Sequence, residues 1–221
     1  MNLYIILELL LSQTYTLIMI AFFIILYSTI TFTSWYSVTK YSPLYWEHIS
    51  RINSSVHASL ATYFSIMLLC SFSNNYANYW LLYSNSLVYL LFDNFLLYYQ
   101  KHVIHVDKFI VLHHILFLTG LNYAVWVRSD VYILARFLLT EISTPMLNYA
   151  WSVYKLPYQH HPLETPLSKF LLFISYLGGR IFNLGHLLLF NSYPFLSLPQ
   201  FYIVSFFLLN VYWFFKLLSK V

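Results

Sequence analysis

Stretches of about 20 predominantly apolar residues recur along this chain at 14–33, 53–73, 79–99, 109–126, 131–150, 169–190 and 197–216. A helix rises about 1.5 Å per residue, so each is long enough to cross a hydrocarbon layer of roughly 30 Å. That repetition constrains the fold more than any motif, because in lipid every backbone N–H and C=O needs an internal partner. With 60% hydrophobic and 8% charged residues, the chain lacks the polar surface to cover a soluble globule. The expected class is an all-α integral membrane protein with seven transmembrane helices. Tyr, Phe and Trp make up 22% of residues and gather near the span ends, where amphipathic rings suit the interface.

The basic residues orient the spans. Lys40, Arg51, Lys101, Lys108, Lys155, Lys169, Lys216 and Lys220 fall on one side of the seven-span arrangement, while the opposite loops (74–78, 127–130 and 191–196) carry only Arg128. The positive-inside rule then predicts an outside N-terminus and a cytosolic C-terminus, which requires an odd number of spans. The first apolar stretch has no basic region before it, carries Glu8 and lacks a small-residue cleavage site, so it reads as a retained helix. The net charge of +4 is dispersed among loops, which excludes a nucleic-acid-binding stripe. The longest polar connection, 151–168, contains Pro157, Pro162 and Pro166 and reads as a loop. A single cysteine, Cys70, excludes an intrachain disulfide and a cysteine metal site.

Ionisable groups inside these spans are costly, which makes them the candidate functional residues. Counted inward from the cytosolic ends, His57 lies about one turn into the second span, and His113 and His114 about one turn into the fourth. Asp93 lies about two turns into the third, while Glu141 and Arg180 are near the middle of the fifth and sixth. One polar tier, open to the cytosol and capped by apolar side chains, is the simplest arrangement that accommodates them. Glu141, Thr144, Pro145 and Asn148 fall at i, i+3, i+4 and i+7, hence on one helical face. Arg136 and Thr140 share the neighbouring face, and Arg180 and Asn183 stand at i, i+3. Pro145 has no amide for the Glu141 carbonyl, which predicts a freed carbonyl and a kink. Buried Glu141–Arg180 and Asp93–Arg136 pairs that fix helix registry are one reading of these charges; a functional pocket is the other.

Successive helical residues are about 100° apart, so His113 and His114 cannot point the same way. One can face a cavity while the other bonds a neighbouring helix. A neutral imidazole whose tautomer is set by an acid can act as general base or as a nucleophile forming an acyl-imidazole. His102 and His105 form HxxH, and His160-His161 is a second pair, which invites comparison with the histidine boxes of membrane di-iron enzymes. The grouping supplies too few ligands at the required spacing, and no metal is expected. His160-His161 reads as a solvated loop and His186 as structural.

Ile49-Ser50-Arg51-Ile52-Asn53-Ser54-Ser55-Val56-His57-Ala58, then Asp93, then Asp107-Lys108-Phe109 through His113-His114, then Glu141-Ile142-Ser143-Thr144-Pro145-Met146-Leu147-Asn148 stand in the order seen in the TLC family. The chain resembles that family over about 35–218, nearest its TLC domain-containing branch and related to the ceramide synthases. The resemblance implies a six-helix TLC-type barrel (35–218) around a lipid-sized tunnel, preceded by an extra N-terminal transmembrane helix (1–34), in the endoplasmic reticulum or a related membrane. It also implies a role in lipid homeostasis. Two functions stay open: a ceramide-synthase-like acyltransferase, and a non-enzymatic lipid-binding regulator or sensor. For the first, the resemblance implies His113 or His114 as base or acyl acceptor and Glu141 or Asp93 as the orienting acid. His57, Asn148, Thr144 and Arg180 would contact substrate at the polar end. Ceramide synthases carry two closely spaced aspartates where this chain has Glu141 followed by Ser143, Thr144 and Pro145, so ceramide is not the expected product. No cofactor is expected to be permanently bound. Acyl-CoA is the candidate substrate, its phosphates meeting Lys40, Arg51, Lys101 and Lys108. Partners are membrane lipids and an acyl lipid in the tunnel, with a homodimer left open.

Overall fold

The computed structural model describes residues 3–38, 45–70, 76–100, 108–126, 131–155 and 164–219. Among these, every regular element is helical: α1 (Leu3–Val38), α2 (Tyr45–Cys70), α3 (Tyr76–Gln100), α4 (Lys108–Trp126), α5 (Val131–Leu138), α6 (Thr144–Lys155), α7 (Glu164–Tyr176), α8 (Asn183–Phe190) and α9 (Leu198–Leu218). A 3₁₀ segment, Leu139–Ser143, joins α5 to α6, and a π-helical segment, Leu177–Phe182, joins α7 to α8.

Four helical runs are both long and apolar enough to cross a membrane: Gln13–Ser34, Lys108–Trp126, Pro166–Phe190 and Leu198–Leu218. Their outward surface is greasy. Leu17, Phe22, Ile25, Ile115, Leu189, Phe190 and Phe215 are all exposed, a distribution that lipid accepts and water does not. The chain is therefore an integral, multi-pass membrane protein.

The two irregular segments follow from local chemistry. Without an amide on Pro145, the Glu141 carbonyl cannot close an α-helical bond, and the Thr144 N–H bonds it instead. The carbonyl expected to be free is thus satisfied by a tighter turn. Gly178 and Gly179 open the wider π turn, and Gly179 packs so closely on the 3₁₀ segment that a Cβ there would meet Ile142 Cγ2 at 2.2 Å.

Packing runs α2 to α3, α3 to α4, α4 to α9, α9 to α8, α7 to α6 and α6 back to α2, with α1 laid against α2 and α3. Small buried residues, Ala58, Ala61 and Ser65 on α2 and Ser84 and Ser86 on α3, permit close backbone approach. The apolar core gathers Phe23, Tyr27, Leu82, Phe117, Leu121, Leu138, Leu184 and Phe206.

Candidate functional site

The polar residues of the spans fall into three hydrogen-bonded networks, with His113 outside them. The first centres on His114, which is buried on α4. The Asn94 amide nitrogen donates to the Leu90 carbonyl at 2.8 Å, which turns the Asn94 side-chain oxygen toward His114 Nδ1 at 3.2 Å. An oxygen can only accept, so Nδ1 carries a proton. His114 Nε2 faces the Asp93 carboxyl, 3.6 Å from Oδ2, while Ser50 donates to Asp93 Oδ1 at 2.7 Å. The Tyr89 hydroxyl also donates to Asp93. Nε2 and Asp93 therefore face each other across a position that one mobile proton can occupy on either side.

His57 adjoins this network. Its ring stacks on Tyr89 with centroids 4.1 Å apart and planes 7° from parallel, and its Nδ1 lies 3.1 Å from the Asn85 amide nitrogen. Asn85, Tyr89 and Asp93 follow one another at four-residue spacing along α3, which places them on one face.

The second network surrounds Arg180, held by the π segment. Its Nε donates to Ser143 Oγ at 2.6 Å, Nη1 to the Asn210 side-chain oxygen at 3.1 Å and Nη2 to Thr144 Oγ1 at 2.8 Å. Thr144 in turn donates to Glu141 Oε2 at 2.6 Å, and Arg180 Nη2 lies 4.0 Å from that oxygen. Tyr176 donates to the Asn210 carbonyl at 3.1 Å.

The third network clamps α2 to α6. Asn148 donates to the Arg51 carbonyl and to Ser55 Oγ, and accepts from Arg51 Nη1 at 3.1 Å. Arg51 also pairs with Glu47 at 3.0 Å and lies over the Trp151 ring, so its guanidinium is already engaged on this flank.

The two histidines of the pair diverge as helix geometry demands. His114 bonds α3, whereas His113 turns to α9 and sits among the edges of Phe117, Phe206 and Trp213, with centroids 5.3–5.7 Å away. His113 Nδ1 is buried without a hydrogen-bond partner. Phe117 and Phe206 also line a small apolar hollow of about 50 Å³, open at its mouth, with Gly120, Leu121, Leu134, Phe137 and Tyr202. The hollow lies farther along α4 toward Trp126, beyond the polar groups, so His113 stands at the boundary between the two.

Two expected pairings differ from what is found. Asp93 does not meet Arg136. Its partners include Ser50 and His114, while Arg136 Nη2 donates to the Asn183 carbonyl at 3.3 Å and Nη1 to the Tyr132 hydroxyl at 3.5 Å. Arg180 and Asn183 do not act together either, because the extra residue in the π turn rotates Asn183 away. Its amide bonds the Arg136 carbonyl at 2.7 Å. His186 is exposed and packs on Phe190. The expectations for Lys40, Lys101, His102, His105, His160 and His161 lie outside the described residues.

The site also recruits residues that sequence reading passed over: Ser50, Asn85, Tyr89, Asn94, Ser143, Tyr176 and Asn210. Asn85 and Asn210 had a signal, since a side-chain amide deep in an apolar run needs a partner as surely as a charge does. The serines and tyrosines had none, because each can also bond its own helix or sit at an interface.

A family model described as the TLC domain matches residues 47–219. Comparison with curated proteins and with solved structures gives no match. Helix α1 precedes the matched region.

Proposed function

This chain belongs to the TLC-domain family, and we propose that it is a seven-span membrane protein that holds an acyl lipid and transfers its acyl group to a nucleophilic acceptor. The observation that carries the reading is the His114–Asp93 couple, tautomer-fixed by Asn94, about one turn along α4 from an apolar hollow lined by Phe117 and Leu121. In this reading the helices from α2 onward close into a ring, as their order of contacts supports, and the hollow lies between α4, α5 and α9. The polar tier faces the cytosol, with the C-terminus on that side, in the endoplasmic reticulum or a related membrane.

The chemistry balances with acyl-CoA as donor. An acceptor amine or hydroxyl attacks the thioester carbonyl, a C–N or C–O bond forms and the C–S bond breaks. The acceptor's proton passes to the His114–Asp93 couple and from there to the departing thiolate. His113, whose unpaired nitrogen sits in the aromatic cage that adjoins the hollow through Phe117 and Phe206, would meet the carbonyl or accept the acyl group itself. Thr144 and Arg180 hold Glu141, and Asn148 braces the entrance between α2 and α6.

The test is turnover of labelled acyl-CoA against a panel of amine and hydroxyl acceptors by the purified protein in nanodiscs. Loss of turnover in His114→Ala and His113→Ala, with co-purified lipid retained, is the expected result. Unchanged turnover in both variants removes the proposed chemistry.

One observation favours a second reading, a non-enzymatic lipid sensor. Arg180, Thr144, Glu141 and Asn210 satisfy one another across the π segment, α6, the 3₁₀ segment and α9, which leaves a single acid–imidazole couple in the tier. Tightly bound lipid with no turnover against any acceptor selects that reading.

A further inference from the structure

Helix α1 lies outside the family-matched region, yet it reaches the polar tier. Tyr27, fully buried on α1, donates its hydroxyl to the Asn85 side-chain oxygen at 2.5 Å. The amide nitrogen of the fully buried Asn85 faces two atoms of α2 at once, His57 Nδ1 at 3.1 Å and the His57 carbonyl oxygen at 3.3 Å. That carbonyl can only accept and the Tyr27 hydroxyl donates, so the two together fix the amide with its NH₂ toward α2 and its oxygen toward Tyr27. His57 Nδ1 then accepts a hydrogen bond from the Asn85 amide and must itself be bare. A second tie, from the Asn53 amide to Thr31 Oγ1 at 2.8 Å, fixes the axial position of α1 against α2.

We propose that α1, acting through Tyr27 and Asn85, holds His57 as the Nε2–H tautomer and so makes it a hydrogen-bond donor in the tier. His114 is the opposite case, its proton on Nδ1 and its Nε2 turned to Asp93. The tier thus keeps one imidazole as base and another as donor, and the donor's complement is a carbonyl or amide oxygen on the bound lipid. Tyr27 and Asn85 are positioning residues. The lipid-oxygen role rests on the acyl-lipid reading above, whereas the tautomer assignment stands on the hydrogen-bond geometry alone.

The experiment is ¹⁵N NMR of the histidine-labelled full chain in nanodiscs, with the His57 signals assigned by their absence in His57→Gln. The expected wild-type pattern is an unprotonated Nδ1 and a protonated Nε2. In Asn85→Asp the carboxylate can only accept, so Nδ1 is expected to become protonated while the His114 signals stay unchanged. In Tyr27→Phe the Asn85 oxygen loses its donor, the amide can exchange between orientations, and a mixed or broadened Nδ1 signal is expected. A protonated Nδ1 in wild type overturns the assignment, as does an unprotonated Nδ1 in Asn85→Asp. A Tyr27→Phe spectrum identical to wild type overturns the part given to α1. These signals are read without substrate, so absence of acyl transfer would sink the functional reading and leave the tautomer test intact.

Discussion

Replacing Arg180 by Met removes a cation of nearly the same length from beside a buried carboxylate, and the geometry separates two contributions. The three hydrogen bonds to Ser143, Thr144 and Asn210 join neutral oxygens. At ~0.6 kcal/mol each in a membrane, their loss together costs about 2 kcal/mol. The ion pair is longer, with Nη2 4.0 Å from Glu141 Oε2. At that separation and an effective dielectric near 20, the attraction is on the order of 4 kcal/mol. In the native state much of this offsets desolvation, but removing the cation alone leaves the carboxylate buried and uncompensated. The expected cost of Arg180→Met is therefore about 3–5 kcal/mol. Glu141→Gln keeps an oxygen for Thr144 and should cost less. The double variant should recover part of the loss, with a coupling energy of about 1 kcal/mol or more. Reversible unfolding titrated with a denaturing detergent measures all four corners of this cycle. Additivity within ~0.5 kcal/mol, together with an Arg180→Met cost of only about 2 kcal/mol, would falsify the pairing and leave Arg180 as a neutral hydrogen-bond clamp.

Gly179→Ala drives a methyl into Ile142 and is expected to cost about 1–3 kcal/mol, relieved when combined with Ile142→Ala; thermal unfolding of the single and double variants reads this. Gly120→Ala meets the Tyr202 ring only at ordinary contact distance, 3.5 Å, so stability should hold; Gly120→Leu fills the hollow, and mass spectrometry should find less co-purified acyl lipid with the bulkier side chain. Asn94→Leu removes the acceptor that fixes His114 Nδ1–H, and a shift in the His114 ¹⁵N signals with a roughly tenfold or greater fall in turnover is expected. Phe206→Ala opens the wall between His113 and the hollow at a cost of about 3–5 kcal/mol, and a stability unchanged within error would mean that this ring is not packed there.

Much of the fold was legible because its determinants are local. The length of an apolar run measures itself against a bilayer, the backbone in lipid has no alternative to helix among these elements, and Pro145 announces its own missing bond. The cost of a buried charge or amide likewise belongs to the residue, so His57, Asp93, His113, His114, Glu141 and Arg180 could be singled out from position alone. Partner choice is another kind of information. Helical periodicity states which residues share a face, but not which neighbour that face meets or how far the neighbour is shifted along its axis. That is why Asp93 could be offered Arg136 from sequence and yet meets His114, and why the π turn at Gly178–Gly179 separates Arg180 from Asn183. The divergence of His113 and His114 was fixed by the 100° step between consecutive residues. Which of them bonds an acid and which enters an aromatic cage was decided only when α4 came to lie between α3 and α9, because a hydrogen-bond partner is a property of two surfaces and the sequence specifies only one at a time.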